Sequence, residues 1–165
     1  MKPEPKRILW PTDFSELSLK AGQYAKSLRK QVACELHIIN TCDVPLVPSV
    51  MIPPDCGVQS VAAPDVVEAA QKKLHMFIAE HLGGDTTIVR DVIIGTPWLE
   101  ICNYAEREEI DLIVMATHGL TGIRHILMGS TAERVVQHAK CPVLVVKSIE
   151  RGCLTDDLRN KKKAS

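Results

Sequence analysis

The 165-residue chain has no excess charge of either sign, few aromatic residues and no long hydrophobic run. Its 20 Lys and Arg residues balance 20 Asp and Glu residues. This balance disfavours a nucleic-acid or membrane-surface binder, since such proteins usually carry a basic excess. No apolar stretch approaches the length of about 18 residues that a membrane-spanning helix needs. The N-terminal segment also lacks the apolar region of a signal peptide, so we expect a cytoplasmic protein without nucleic-acid or membrane partners.

The cysteines include no C-x-x-C pair, so neither a zinc site nor a thioredoxin-like redox pair is predicted. In a reducing compartment they are expected to be free thiols, several of them buried. With 4% aromatic residues, the core must be mainly aliphatic. The six cysteines are Cys34, Cys42, Cys56, Cys102, Cys141 and Cys153.

Short apolar runs alternate with stretches of helical spacing over most of the chain. A short strand is predicted to begin at residue 7 and to end at Pro11 and Thr12, and further strands are predicted at 34–40, 86–95, 110–117 and 141–148. The run at 110–117 is apolar throughout, as in a strand buried on both faces. Because strands and helices alternate, the fold class is α/β: a doubly wound, five-stranded parallel sheet with helices on both faces.

Four helices are predicted between these strands, each from its cap residues and its apolar stripe. The first follows an N-cap at Ser15, and the third follows Thr96 with a proline at its first position. The second is predicted to start at Asp65, with Glu68 completing a capping box, and to stop at Gly83. The inner faces are assigned to Leu17, Ala21, Tyr24, Ala25 and Leu28; to Val66, Val67, Ala70, Leu74, Phe77 and Ile78; to Trp98, Ile101, Cys102 and Ala105; and to Ala132, Val135, Val136 and Ala139.

Residues 1–148 form a single predicted domain. Within it, the segment 43–64 contains five prolines, which exclude a regular helix or a central strand. This excursion is too long for a routine connection and is therefore expected to be mobile or functional, as a lid or a partner surface. The polar tail at 149–165 is expected to fray.

Two loops at predicted strand ends carry the residue types of a binding site. "PTDFS" follows the first strand, and "ATHGLTGIRHILMGST" follows the fourth. In doubly wound sheets, ligands collect beyond the carboxyl ends of the strands, where the winding direction reverses. If the first and fourth strands are neighbours at that reversal, the two loops face one crevice.

The end of the second loop has the composition of a phosphate cradle. Gly129, Ser130 and Thr131 stand at the start of the last helix, where free amides and the helix dipole attract anions. The alternative is a plain capping box, with Ser130 as N-cap and Glu133 as its partner. Neither a Walker P-loop nor a G-x-G-x-x-G motif is present, and the loop side chains of Arg124 and His125 either assist or simply face solvent.

With these motifs in view, the chain resembles the universal stress protein family over residues 5–148. The matching stretches are "ILWPTDFS", "LHII", "DLIVMATHGLTG" and "GSTAERVVQHAKCPVLVVK". ATP-binding members carry G-x2-G-x9-G-[ST]; here Gly119 and Gly129-Ser130 fill that motif without a gap. Ala116 replaces its first glycine and adds one methyl group beside the expected nucleotide sugar. The resemblance implies an adenine nucleotide alpha hydrolase-like, Rossmann-like fold.

The resemblance also implies a ligand and its contacts. The ligand is ATP, with ADP or AMP as alternatives, and Mg or Mn is carried on its phosphates; Asp13 either assists this cation or is a turn acceptor. No catalytic residue is implied, because His118 has no evident partner carboxylate or nucleophile. The implied contacts are Pro11, Thr12, Asp13, Ile38, Met115, Ala116, Thr117, His118, Gly119, Gly129, Ser130 and Thr131.

The family resemblance further implies a homodimer that forms through the strand at 142–147. Its apolar residues "PVLVV" would be an aggregation hazard at an open sheet edge, and pairing with a twofold copy removes that hazard. The alternative is a central, buried strand. The function expected is a nucleotide-binding regulatory module in the stress response, as a homodimer. The alternatives are a nucleotide-free interaction or chaperone-like protein and an enzyme with, at most, weak ATP hydrolysis.

Overall fold

The computed structural model describes residues 4–43, 63–83, 85–117 and 128–147. Most of the predicted excursion at 43–64 and the predicted tail at 149–165 lie outside these residues. In chain order, the elements that the structure describes are β1 (Arg7–Pro11), α1 (Glu16–Val32), β2 (Glu35–Cys42), α2 (Ala63–Leu82), β3 (Val89–Ile94), α3 (Pro97–Arg107), β4 (Leu112–Ala116), α4 (Ser130–His138) and β5 (Val143–Val146).

The five strands form one parallel sheet in the order β3-β2-β1-β4-β5. The first and fourth strands are direct neighbours, with Ile8 opposite Leu112 and Leu9 opposite Ile113. The chain winds from β1 outward in one direction and then continues from β4 in the other. The predicted α/β fold is thereby confirmed, and its reversal point lies between the two strands that precede the candidate loops.

Two apolar clusters cover the two faces of the sheet, one under α1 and α2 and one under α3 and α4. Alternate residues of each strand enter opposite clusters, so Ile8 belongs to the first and Leu9 to the second. The core is mainly aliphatic, as expected from the low aromatic content. Its aromatic exceptions are Trp10, which is fully buried, and Tyr104, whose hydroxyl lies 3.0 Å from Nδ1 of the buried His37.

Most predicted helix ends are found, but the start of α2 is not. Ser15 is the N-cap of α1 and its hydroxyl accepts a hydrogen bond from the Ser18 amide. Gly83 follows α2 at a φ of 71°, the left-handed region that a helix stop uses. Asp65 is not a cap, because α2 already begins at Ala63. The predicted capping box is therefore wrong, and Glu68 instead pairs with Lys72 one turn later, at 2.7 Å.

Two residues assigned to inner helix faces are exposed. The side chain of Tyr24 on α1 is 52% exposed, and that of Val136 on α4 is 46% exposed. Both flank the apolar stripe, whose central members Ala21, Ala25 and Val135 are fully buried. A helix that packs on a sheet at one side buries a narrower stripe than the predicted set, so the outer members of the stripe face solvent.

The four cysteines within the described residues are free thiols, as expected: Cys34, Cys42, Cys102 and Cys141. Burial raises the pKa of each thiol. Their thiolate populations at neutral pH are therefore lower than that of an ordinary cysteine, which disfavours nucleophilic roles. Cys56 and Cys153 lie outside the described residues.

The last strand lies at a sheet edge, so the alternative of a central buried strand is wrong. Leu144 of β5 remains 38% exposed on this edge. Across the described part of the chain, none of the helices combines the length and the apolar character that crossing a lipid bilayer requires.

Candidate functional site

A cavity of about 220 Å³ opens at the carboxyl edge of the sheet, between the ends of β1 and β4. This is the reversal point of the winding, where doubly wound sheets bind ligands. The loop after β1 forms one wall and the start of α4 forms another. The lining consists of Pro11, Thr12, Asp13, Ser18, Thr41, Pro97, Ile101, Met115, Ala116, Thr117, Gly129, Ser130, Thr131 and Ala132.

The cavity brings together the predicted site residues of both loops. From the first loop these are Pro11, Thr12 and Asp13, and from the second Met115, Ala116, Thr117, Gly129, Ser130 and Thr131. Ile38 is different: its side chain is fully buried in the cluster under α1 and α2 and does not line the cavity. The expectation for Ile38 concerned its backbone and stays a prediction. His118, Gly119, Arg124 and His125 lie outside the described residues.

The loop after β1 is shaped by its own side chains. One carboxylate oxygen of Asp13 accepts hydrogen bonds from the Ser15 amide at 3.1 Å and from the Ser15 hydroxyl at 2.7 Å. Phe14, between them, has a φ of 65°, a left-handed conformation that non-glycine residues adopt only when surrounding contacts hold it. Asp13 is thus a turn acceptor, as one of its two interpretations stated, and it also lines the cavity.

Thr12 is 5% exposed and is fixed through its backbone on both sides. Its amide donates to the Ile39 carbonyl at 2.9 Å, which continues the pairing of β1 with β2. Its own carbonyl accepts a hydrogen bond from Nδ2 of the buried Asn40 at 2.7 Å. The wall of the cavity that Thr12 forms is therefore attached rigidly to the sheet.

The start of α4 forms the opposite wall. Gly129 is the N-cap, with φ −73° and ψ 154°, and no side-chain hydrogen bond caps this helix end. Ser130 is already the first helical residue, so the alternative capping box of Ser130 and Glu133 is wrong. The amides of the first helical turn have no partner within the helix, and those of Ser130 and Thr131 belong to residues that line the cavity.

The position of this helix start is fixed by β4 and β5. The Gly129 amide donates to the Thr117 carbonyl at 2.7 Å, and the Thr117 amide donates to the Val146 carbonyl at 3.0 Å. The Gly129 amide is therefore occupied and is not available as a donor to a ligand. The φ of Gly129 lies in a region open to all residues, so the backbone does not itself require glycine here.

Among the described residues, two helix N-termini face the cavity and no basic side chain lines it. Among the described lining residues, Asp13 is the only one with a charged side chain. Two helices begin at this cavity: α4 at Ser130, and α3 at Pro97, whose N-cap Thr96 makes no side-chain cap hydrogen bond. Each helix N-terminus carries about half a positive charge. The arrangement suits an anion held by amides and hydroxyls.

Sequence reasoning missed five lining residues: Ser18, Thr41, Pro97, Ile101 and Ala132. The signal for Thr41 was its place at the carboxyl end of β2, next to β1 in the sheet. Ser18 lies in the first turn of α1, and its position in the cavity lining depends on the conformation of the preceding loop. Pro97 is predicted only as the first residue of its helix, and Ile101 and Ala132 are predicted on inner helix faces. All three line the cavity because α3 and α4 begin beside it.

Comparison with known proteins places these features in one family. The family model described as "Universal stress protein family" matches residues 4–147. The universal stress protein MJ0531 of Methanocaldococcus jannaschii is 40% identical over 144 residues, covering 86% of this chain and 82% of that protein. The universal stress protein MJ0577 of the same organism is 34% identical over 154 residues, covering 86% and 94%.

Solved structures agree with the fold. The structure of MJ0577 superposes with a TM-score of 0.74 at 31% identity, covering 88% of this chain and 98% of that chain. A universal stress protein solved in complex with cAMP superposes with a TM-score of 0.63 at 21% identity, covering 88% and 98%. At that identity the second likeness concerns the fold alone.

Proposed function

The chain belongs to the universal stress protein family, and on that premise we propose that it binds ATP, as a regulatory module, in the cavity between β1 and β4. The observation that carries this proposal is the start of α4. An N-cap glycine without a side-chain hydrogen bond leads into two residues, Ser130 and Thr131, that line the cavity with amides and hydroxyls. Such a helix start binds phosphate through its amides and its dipole.

The phosphates lie at the α4 end of the cavity in this proposal. The amides and hydroxyls of Ser130 and Thr131 donate to the β- and γ-phosphate oxygens. Gly129 leaves the space that a phosphate needs to approach the backbone. Hydrogen bonds to a charged acceptor are stronger than neutral ones, so these groups can hold a triphosphate without a lysine.

The nucleoside lies at the β1 end, against Pro11, Thr12 and Asp13. Met115, Ala116 and Thr117 run beneath the sugar and the phosphates. A divalent cation, Mg or Mn, is carried on the phosphates. Among the described residues, no group of three His, Cys, Asp or Glu side chains is arranged to hold a metal, which supports a cation carried by the nucleotide. ADP and AMP fit the same nucleoside contacts with fewer phosphate contacts.

A relative of the same fold supports a nucleotide as the ligand class. A universal stress protein of this fold was solved in complex with cAMP, which is an adenine nucleotide. The described cavity residues include no acid–base pair, since Asp13 is the one titratable side chain in the lining. Slow hydrolysis at most is therefore expected, and a binding module is favoured over an enzyme.

The homodimer is proposed to form through residues 142–147. The two edges of the sheet differ: β3 carries Arg90 and Asp91, and the Asp91 carboxylate accepts the Val92 amide at 2.8 Å. Charges and an occupied amide protect that edge against further pairing. Within the described residues, β5 (Val143–Val146) carries no charged side chain, and Leu144 is 38% exposed there. Twofold pairing of β5 with its copy buries this edge.

Calorimetry with ATP and Mg²⁺ tests the proposal through Gly129→Val. The backbone at Gly129 accepts valine, so the variant should fold while its β-branched side chain occupies the space of a phosphate. Losing charge-assisted hydrogen bonds worth about 1.5–3 kcal/mol should weaken ATP binding by about 10- to 100-fold.

Ala139→Val is the matched control. Ala139 is the C-cap of the same helix, with φ −63° and ψ 138°, nearly the backbone conformation of Gly129, but it does not line the cavity. It should bind ATP as the unaltered protein does. If Gly129→Val binds ATP as tightly as the control, the phosphates do not lie at this helix start. If the unaltered protein does not bind ATP, the proposed function is wrong.

A further inference from the structure

A buried chain of hydrogen bonds runs from the core to the cavity wall. Nε1 of the fully buried Trp10 donates to Oγ of Ser18 at 3.3 Å, and the Ser18 hydroxyl donates to Oγ1 of Thr12 at 2.9 Å. An indole N–H can only donate, so the first bond starts at the tryptophan, and the chain continues to Thr12 when Ser18 donates its own hydroxyl hydrogen. It ends at a side chain that lines the cavity.

The Thr12 oxygen receives a second donor from its own loop. The Phe14 amide donates to Oγ1 of Thr12 at 3.1 Å. A hydroxyl has two acceptor lone pairs and one hydrogen to donate. With Ser18 as the donor, both lone pairs of Thr12 Oγ1 are occupied, and the hydroxyl hydrogen has no acceptor among the described residues. Thr12 also lines the cavity, so a ligand bound there can supply that acceptor.

The backbone of Thr12 is fixed from behind. Asn40, which is 7% exposed, donates to the Thr12 carbonyl at 2.7 Å, and the Thr12 amide donates to Ile39 on the same strand. Side chain and backbone are therefore both held before any ligand arrives. Because the hydroxyl donor is already held in place, little conformational entropy is lost when a ligand binds to it.

We propose that the Thr12 hydroxyl donates a hydrogen bond to an acceptor atom of the bound nucleoside, and that Ser18 and Asn40 are positioning residues that aim it. The proposal rests on the nucleotide-binding function above and makes it more specific. At this point the cavity selects a ligand that offers a lone pair, such as an unprotonated ring nitrogen or a ribose oxygen. It disfavours a ligand that presents an N–H there, because two donors would then face each other.

Two substitutions at Thr12 distinguish the effect of the hydroxyl group on ATP affinity from the effect of the side-chain shape. Thr12→Val keeps the shape and removes the donor, and Thr12→Ser keeps the donor. A hydrogen bond of this kind is worth about 0.5–1.5 kcal/mol, so Thr12→Val should weaken ATP binding about two- to tenfold in calorimetry. Thr12→Ser should restore most of the affinity.

Ser18→Ala tests the positioning role. With Ser18 removed, one lone pair of Thr12 is released and its hydroxyl can rotate, so ATP affinity should fall by a smaller factor than in Thr12→Val. Ser27→Ala is the matched control, because Ser27 lies exposed on the same helix α1 and outside the cavity lining. It should leave ATP affinity unchanged.

The indole N–H signal of Trp10 gives a second readout, which a purely structural role of the chain would not move. The protein has two tryptophans, so its NMR spectrum contains two indole signals, and Trp10→Phe identifies the one from Trp10. ATP should shift the Trp10 signal through Ser18 and Thr12, although the indole does not line the cavity. In the Thr12→Val variant, ATP should leave the Trp10 indole N–H signal unshifted.

The outcomes separate the two proposals. If ATP binds the unaltered protein and Thr12→Val equally well, or binds without moving the Trp10 signal, the inference is overturned and the proposed function stands. If calorimetry detects no ATP binding to the unaltered protein at all, the proposed function fails and the inference fails with it.

Discussion

Gly22→Ala is the substitution for which the structure gives the clearest steric expectation. A Cβ atom at Gly22 on α1 would lie 2.2 Å from Cζ2 and 2.3 Å from Cη2 of Trp10. Real Cβ atoms essentially never approach another heavy atom below 3.0 Å, so one of the two groups must move. The indole is rigid and fully buried, and it packs against Phe77 with ring centroids 5.8 Å apart. It therefore has little space into which it can move.

Three contributions set the size of the effect. Overpacking a close-packed core costs about 1–3 kcal/mol. Moving the indole also strains its hydrogen bond to Ser18, worth about 1 kcal/mol. Replacing glycine by alanine within a helix returns about 1 kcal/mol. The expected net loss is about 1–3 kcal/mol in the free energy of unfolding.

Urea denaturation, followed by far-UV circular dichroism, measures this loss. Trp10→Phe removes the ring atoms that meet the new methyl group, so Gly22→Ala should cost much less in that background. The interaction energy of the double-mutant cycle isolates the contact. An equal loss in both backgrounds, or a stabilised Gly22→Ala single variant, would show that Trp10 does not lie against Gly22 and would remove the support for the hydrogen-bond chain behind Thr12.

Three further predictions concern the site, the dimer and the pH dependence of stability. Ala116→Gly should tighten ATP binding in calorimetry by about fivefold or more, because its methyl group lines the cavity and overpacking by one such group costs about 1 kcal/mol or more; weaker binding would contradict a crowded sugar site. Leu144→Lys should convert the proposed dimer to a monomer in sedimentation analysis, since it places a charge on the unprotected edge; a dimer that persists would place the interface elsewhere. Hydrogen bonds from Thr87, followed by the contact with Arg29, lower the pKa of Asp85 to about 2. Because the folded-state pKa lies below the unfolded value, this contribution to stability is complete above about pH 4 and is lost as the pH falls towards 2. In urea denaturation between these pH values, Asp85→Asn should therefore lose less stability than the unaltered protein, and parallel curves would contradict this.

The sequence predicted the order of the helices and strands and the two loops that line the cavity. Hydrophobic periodicity identifies the helices and strands, and helix- or strand-breaking residues mark the loops between them. The contact between β1 and β4 was only a condition of the site prediction, because the sequence does not contain the strand order, and the sheet order shows that the condition is met. Cap residues were predictable where one side chain decides the helix start, as at Ser15. The cap prediction was wrong at Asp65, because the helix already begins at Ala63.

The rest depends on packing that a linear pattern does not contain. Periodicity cannot tell how wide a buried stripe is, so Tyr24 and Val136 were assigned to the core and are exposed. The S-x-x-E pattern at Ser130 fitted a capping box, yet hydrogen bonds between Gly129, Thr117 and Val146 fix the helix start one residue earlier. Thr41 and Ser18 became lining residues only through the geometry of the folded loop.

The amides at the start of α4 are the central groups of the proposed phosphate site. Titration of ¹⁵N-labelled protein with ATP and Mg²⁺, followed through the backbone amide signals, tests it directly. We predict that the Ser130 and Thr131 amides show the largest shifts and that AMP moves them less, because AMP lacks the β- and γ-phosphates. Saturable ATP binding that leaves both amide signals in place would contradict the account.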